Sequence, residues 1–440
     1  MMTDHPTVFL HTYGCQMNVY DSELVGSLLT TDGFRLVSHP EAAQVILINT
    51  CAVRDHAEQR VLGRLNALGT LKRRRPGLLI GVLGCMAQRL GEELKNRAPA
   101  VDLVLGPDAY RRLPGLLRER LVSGATAAFC AGDPGETYGD VAPARGEGVN
   151  AFVAIMRGCN NFCTYCIVPY ARGRERSRPP GELLDEIRRA VENGFHEITL
   201  LGQNVNSYRW DETDFSALLD RVAQIPGLRR LRFMTSHPRD LGERLIERLA
   251  GGGAICPSLH LPAQSGSDRV LEQMNRGYTR AQYLDKVRRL RERVPGLALT
   301  TDLLCGFPTE SEADFEATLE LMREAAFDDA FTFKYSPRPG TRAAKMKDDV
   351  PEAVKLQRLE RMIALAREQA DASRQRLLGE TAEVLLEHPS PRDESEWTGR
   401  TRCGRVALAP GSFQRGAEVR IRVEAIRGFS LWGKPAAPNT

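Results

Sequence analysis

Nowhere in the 440 residues does an apolar run approach the ~20 residues that a membrane-spanning helix requires. The start, Met1-Met2-Thr3-Asp4-His5-Pro6, lacks the apolar core of a secretory leader, so a soluble cytoplasmic protein with no membrane partner is expected. No P-loop and no G-x-G-x-x-G fingerprint is present, which argues against nucleoside-triphosphate and nicotinamide chemistry. Charge of one sign is also missing: the net value of +4 is too small to name a partner. The ten cysteines lack the density of a small disulfide scaffold, and a reducing compartment would keep them free as metal ligands. One further absence is local. Cys159, Cys163 and Cys166 stand at spacings of four and three, and no fourth Cys or His follows before His196.

Three thiolates on one short loop suit a metal better than a fold. Zinc normally closes its tetrahedron with a fourth ligand at similar spacing. An iron-sulfur cube held by three cysteines keeps one iron open to substrate or cofactor, so the missing ligand is what a catalytic cluster requires. A structural zinc knuckle or a redox pair is the plainer alternative.

Three other cysteines share a context. Val8–Thr12, Val45–Asn49 and Leu78–Leu83 are short apolar runs leading into Cys15, Cys51 and Cys85. Helical stretches follow, at about Asn18–Thr30, Val53–Leu68 and Met86–Arg97. Three such units in one parallel sheet bring the thiols to the carboxyl edge, where open α/β folds gather ligands. Any one of them alone reads as a buried core cysteine; the repetition points to a second three-cysteine site.

Length implies several domains. Residues 1–122 read as an open parallel α/β domain and 123–148, rich in Gly, Pro and Ala, as a linker. Residues 149–378 alternate six strand–helix units, a partial (β/α)6 barrel with the cysteine loop at its mouth. A helix over Glu352–Leu378, with Leu356, Leu359, Ile363 and Ala366 on its apolar face and Gly379 as its cap, leads out of it. Residues 379–440 read as a small OB-like β-barrel. Its stretch from Trp397 to Lys434 carries eight Lys and Arg against two Glu, and Trp397, Phe429 and Trp432 could stack bases. A solvated basic face over core aromatics is the alternative. The arginines Arg172 to Arg178 could meet phosphate or carboxylate, or merely solvate a loop. Later strand ends carry Gly202-Gln203-Asn204, Thr235-Ser236-His237, Gln264-Ser265-Gly266 and Gly306-Phe307-Pro308, polar enough to grip a zwitterionic cofactor.

Cys-x3-Cys-x2-Cys on the first strand loop of such a barrel resembles the radical S-adenosylmethionine superfamily. The second triad and a basic barrel similar to a TRAM domain narrow the likeness to its methylthiotransferase family. Thr12-Tyr13-Gly14-Cys15-Gln16-Met17-Asn18, Gly202-Gln203-Asn204-Val205-Asn206 and Thr235-Ser236-His237-Pro238 are similar to the branch that acts on isopentenyladenosine in tRNA. Sibling branches act on threonylcarbamoyladenosine or on a ribosomal protein. The likeness spans the chain, with departures at Cys305, usually a branched apolar residue, and Thr309, usually Gly.

The resemblance implies two 4Fe-4S clusters, one on Cys159, Cys163 and Cys166 and one on Cys15, Cys51 and Cys85. It implies S-adenosylmethionine as radical source and methyl donor, with Gln203, Ser236 and Gln264 as candidate cofactor contacts and Asn18 as a further hydrogen-bonding residue. A tRNA anticodon stem-loop and a low-potential donor such as flavodoxin or ferredoxin are the implied partners; the sulfur source stays open. An electron-transfer protein or a non-catalytic RNA-binding module are readings of another class. Cys130, Cys256 and Cys403 stand alone and read as structural.

Overall fold

The structure, a computed structural model, describes residues 5–52, 55–123, 127–129 and 132–436. Its first unit is a six-stranded sheet in which every pairing is parallel. The strands Thr7–Tyr13, Val45–Thr50 and Leu79–Gly84 are immediate neighbours in its middle. Val45–Thr50 and Leu79–Gly84 are buried along their whole length, because helices cover both faces, which explains their unbroken apolar sequence. The helices that follow the three cysteine-bearing strands are Gln16–Thr31 and Asp55–Arg74, then two short ones, Cys85–Leu90 and Glu93–Arg97. Gly91, at φ +50°, breaks what the sequence suggested as one helix.

The segment read as a linker does more than connect. Ala127–Phe129 pairs with Leu103–Leu105 as the sheet's last strand, and Tyr138 is fully buried, its hydroxyl donating to the Pro107 carbonyl at 3.0 Å. A Gly- and Pro-rich composition hid this, since it reports loop chemistry and not where one aromatic ring is packed.

The second unit contains six parallel barrel strands in two groups: Asn150–Ala154, Glu197–Leu201 and Arg230–Phe233, then Ser258–His260, Ala298–Cys305 and Asp329–Lys334. A single bridge, Leu231 to Ile255, links the groups. No pairing joins the first strand to the last, so the barrel has an open seam. Leu259, Leu261, Leu299 and Leu303 face the helices in one large core. Helix starts are fixed locally: Thr279 with Gln282 and Ser311 with Asp314 form capping boxes.

The outgoing helix runs Glu352–Gln375, and its buried face keeps Ala366, with Leu359 packed beside it, but is rotated from the apolar one suggested by the sequence. Lys355, Arg358, Met362, Ala366 and Ala370 turn inward, while Leu356 is 45% exposed. Ion pairs account for the rotation: Arg358 reaches Glu310 at 2.9 Å and Lys355 reaches Asp348 at 2.6 Å. Gly379, at φ +83°, lies beyond the helix end and donates its N–H to the Val423 carbonyl of the last unit.

That last unit is a closed barrel of Thr381–Pro389, Glu396–Thr401, Val406–Pro410, Glu418–Arg427 and Ser430–Pro435. It is bolted to the amino-terminal end of the central strands. Arg230, 0% exposed, donates to Glu383, Glu418 and the Arg400 carbonyl, all in the small barrel. Arg232 donates to the carbonyls of Thr401 and Arg402, both at 2.8 Å.

Candidate metal centres and cofactor mouth

Parallel strands of nearly equal reach bring Cys15, Cys51 and Cys85 to adjacent loops at one sheet edge. The backbone is bent to do so. Gly84 sits at φ +90°, and a Cβ there would lie 2.6 Å from the Thr50 carbonyl, so the turn that aims Cys85 admits only glycine. Asn18 does not offer its amide to a ligand: Nδ2 donates to Asn49 Oδ1 and the Thr50 carbonyl, and Oδ1 takes the Cys15 N–H at 3.4 Å. It fixes the Cys15 loop. A hydrogen bond from Cys51, assisted by Arg172, lowers the Cys15 thiol to about 6, whereas burial raises that of Cys85.

The barrel triad is held by a different set. Gly158 precedes Cys159 at φ +76°, and a Cβ there would collide with the Arg174 carbonyl. Cys159 N–H donates to the Gly173 carbonyl at 3.2 Å and Thr164 N–H to the Met274 carbonyl at 3.0 Å. Arg276, 4% exposed, donates Nη1 to Cys163 Sγ at 3.4 Å and Nη2 to the Pro262 carbonyl at 2.8 Å. Burial pushes Cys159 up to about 11 and Cys166 to about 12, so a metal binding there would have to displace their protons.

Between the two triads lies a buried charge network that the sequence did not announce. Asp21, 0% exposed, accepts from Arg157 at 2.6 Å and from Arg172 at 2.7 Å, and Arg172 Nε donates to Cys85 Sγ at 3.0 Å. Burial opposes the charge on Asp21, but Arg172 and Arg157 override it and hold the carboxyl below its usual range. Arg172 follows the barrel's cysteine loop and Cys85 belongs to the sheet, so one guanidinium bridges the two sites. The arginines from 172 to 178 therefore meet carboxylates within the chain: Arg176 pairs with Asp108 and Arg178 with Glu186, and Arg174 lies over the Phe162 ring.

Four buried polar atoms without a hydrogen-bond partner mark the carboxyl ends of the second and third barrel strands: Gln203 Oε1, Asn204 Oδ1, Ser236 Oγ and His237 Nε2. His237 is neutral, lowered to about 2 by burial and then Arg276, and its Nδ1 accepts the Arg239 N–H at 3.2 Å. Nε2 thus carries a hydrogen with nothing to receive it. The unused hydrogen-bonding capacity of these atoms makes this rim able to receive a polar ligand. Gln264 joins it with a left-handed backbone, φ +69°, fixed by bonds to Asp302 and Leu304.

Among the described residues no three His, Cys, Asp or Glu side chains converge on the position of one metal ion. No described cysteine is in a disulfide. Cys256 and Cys305 are buried, Cys403 lies against Thr401 Oγ1, and Cys130 lies outside the described residues. The aromatics of the last barrel divide: Trp397 packs edge-on to Phe413 against its core, Trp432 is covered by Arg427, and Phe429 is 76% exposed.

Three families match in order along the chain: Uncharacterized protein family UPF0004 over residues 7–106, the Radical SAM superfamily over 153–322 and the TRAM domain over 375–436. The tRNA-2-methylthio-N(6)-dimethylallyladenosine synthase of Parabacteroides distasonis is 47% identical over 98% of this chain and 96% of its own length. That of Moorella thermoacetica is 45% identical over 99% of both. The chain belongs to the tRNA-2-methylthio-N(6)-dimethylallyladenosine synthase family. Among solved structures, the radical S-adenosylmethionine methyltransferase TsrM from Kitasatospora setae aligns with a TM-score of 0.59 at 15% identity, covering 77% of each chain, a likeness of fold. As a radical S-adenosylmethionine methylthiotransferase, a tRNA-2-methylthio-N(6)-dimethylallyladenosine synthase uses two 4Fe-4S clusters and S-adenosylmethionine, and two sets of three cysteines outside any disulfide, together with the polar rim, fit them. Its family's glycine position, Thr309, stands at φ +68°, a conformation a β-branched residue rarely adopts. Bonds from Arg269 to its hydroxyl (3.1 Å) and carbonyl (2.6 Å) hold it there.

Proposed function

We propose that this chain inserts a methylthio group at carbon 2 of isopentenyladenosine beside the tRNA anticodon, with S-adenosylmethionine as radical source and methyl donor. The observation that carries this reading is the pair of three-cysteine sites on separate domains, locked face to face by Arg157, Asp21 and Arg172. Cys159, Cys163 and Cys166 hold the cluster that takes S-adenosylmethionine, and Cys15, Cys51 and Cys85 hold the one that carries sulfur. Bound there, these groups supply one-electron cleavage of a sulfonium and a carrier for the transferred sulfur.

The chain's own residues orient and exclude. Gln203 offers an acceptor to the cofactor's ammonium, Ser236 a hydroxyl to its carboxylate, and Gln264 a third contact, each from a rigid strand end. Ala154 and Leu201 of the barrel wall pack into the core of the first domain, which shields that side from water. The last barrel grips RNA through Arg420, Arg422 and Phe429, which are exposed, and does no chemistry. A low-potential flavodoxin- or ferredoxin-type donor and a cytoplasmic setting complete the reading. Relatives named for the isopentenyl-type substrate, 45–48% identical, favour it over the threonylcarbamoyl and ribosomal-protein alternatives.

Mass spectrometry of tRNA nucleosides from cells lacking the chain tests it. The methylthio nucleoside should vanish while isopentenyladenosine accumulates, and the wild-type gene should restore it. Loss of a methylthio threonylcarbamoyl nucleoside instead would assign the chain to the sibling reaction.

A further inference from the structure

We infer that His260, Asp302 and Phe331, side by side on the inner barrel wall, are the seat of the target base. The inference rests on the tRNA reading above. Strand alternation sets their direction: Leu259, Leu261, Leu299 and Leu303 pack on the helices, so His260, Thr300 and Asp302 point the other way. Ala330 packs on the same helix core, which turns Phe331 inward beside Asp302, its register partner. The His260 and Phe331 rings meet edge to face at 6.0 Å, and His260 Nε2 lies 3.4 Å from Asp302 Oδ2.

This row lies one layer below the barrel triad. Two residues beyond His260, the Pro262 carbonyl takes the Arg276 guanidinium, whose other nitrogen reaches Cys163. The remaining walls are covered: Phe152, Ala154, Leu201 and Met234 pack on the first domain, and the Arg402 turn of the last barrel closes the strand starts. Phe331 is on the last strand, at the open seam, and is 47% exposed there.

The chemistry matches a substituted adenine. An aromatic ring open on a face stacks a base. Asp302, 31% exposed, accepts, and the substituted exocyclic amine of such a base is a donor. Elsewhere on this wall a carboxylate is matched by a guanidinium, as Glu197 is by Arg232 at 3.0 Å; beside Asp302 lies the imidazole of His260. His260 Nδ1 is engaged by Thr300 Oγ1 at 2.9 Å, which fixes the ring as the floor of the seat.

The test uses the reconstituted full chain and two anticodon stem-loop RNAs, one with isopentenyladenosine at the target position and one abasic there. Wild type should prefer the first by roughly 5- to 150-fold, the worth of one stacked base. Phe331→Ala should erase that preference and Phe331→Tyr keep it, and Asp302→Asn should weaken binding of the modified RNA alone; iron content and melting temperature report folding. An unchanged preference in both Phe331→Ala and Asp302→Asn overturns the seat while leaving the tRNA reading standing. Failure of wild type to bind or modify either RNA removes that reading, and the seat with it.

Discussion

Asp21→Asn is nearly isosteric and removes one charge from a place that has no exposed surface. In the native chain the carboxylate makes two charge-assisted bonds, at 2.6 and 2.7 Å, to Arg157 and Arg172, whose side chains are 1% and 4% exposed. Asparagine keeps one acceptor and strands two guanidiniums together without a counter-charge. Breaking a buried ion pair by removing one partner typically costs about 3–5 kcal/mol. With an unfolding entropy of about 2 cal/mol/K per residue, a cooperative unit of several hundred residues moves by roughly 1 °C per kcal/mol, so the melting temperature should fall by about 3–6 °C. Arg157→Met added to Asp21→Asn should recover part of the loss, because one unpaired charge leaves with it. Differential scanning calorimetry of the three proteins at neutral pH is the assay. A melting temperature within 1 °C of wild type, or a double variant less stable than Asp21→Asn, would falsify the account of this network as a charge-compensated bridge.

Anaerobic reconstitution should yield about eight irons per chain, and about four when either triad is replaced by Ala. Replacing Cys159, Cys163 and Cys166 should abolish cleavage of S-adenosylmethionine, while replacing Cys15, Cys51 and Cys85 should spare cleavage and stop thiolation; thiolation that persists in the second variant refutes the division of roles. Thr309→Gly should be more stable than Thr309→Ala by about 1–2 kcal/mol, because both lose the hydroxyl contacts but only Gly sheds the left-handed strain; urea titrations giving the opposite order count against it. Burial raises Glu310 from 4.5 to about 7, so its contribution is full below its unfolded value and lost as pH rises through about 7. Glu310→Gln should therefore lose less of its melting temperature between pH 5 and pH 8 than wild type does, and parallel pH profiles for the two would exclude this origin. Ending the chain at Gly379 should lower stability as well as RNA affinity, since buried Arg230 loses Glu383, Glu418 and the Arg400 carbonyl. A truncated chain that binds tRNA with the salt dependence of wild type shows that the small barrel is not the anchor.

The sequence alone carried the candidate ligand sets, because metal chemistry needs a residue type at a spacing and both are one-dimensional. The Cys159 loop is written in eight consecutive residues, and the Cys15, Cys51 and Cys85 set in the period of a strand ending at a cysteine. Alternation and turn chemistry likewise announced three folding units and six barrel strands. What it could not carry were pairings between distant residues. The bond from Arg172 to Cys85 joins positions 87 apart and that from Arg157 to Asp21 positions 136 apart, and neither has a local signature. Helix rotation was decided the same way. Leu356 looked apolar enough for the core, but Arg358 and Lys355 found carboxylates on elements that only folding brings near. Trp397 and Phe429 are both aromatic in a basic segment, and only the closed barrel decides that one packs against its core while the other meets solvent. Composition and period fix which groups a chain can present; the cost of burying charge without a partner fixes where they are allowed to sit.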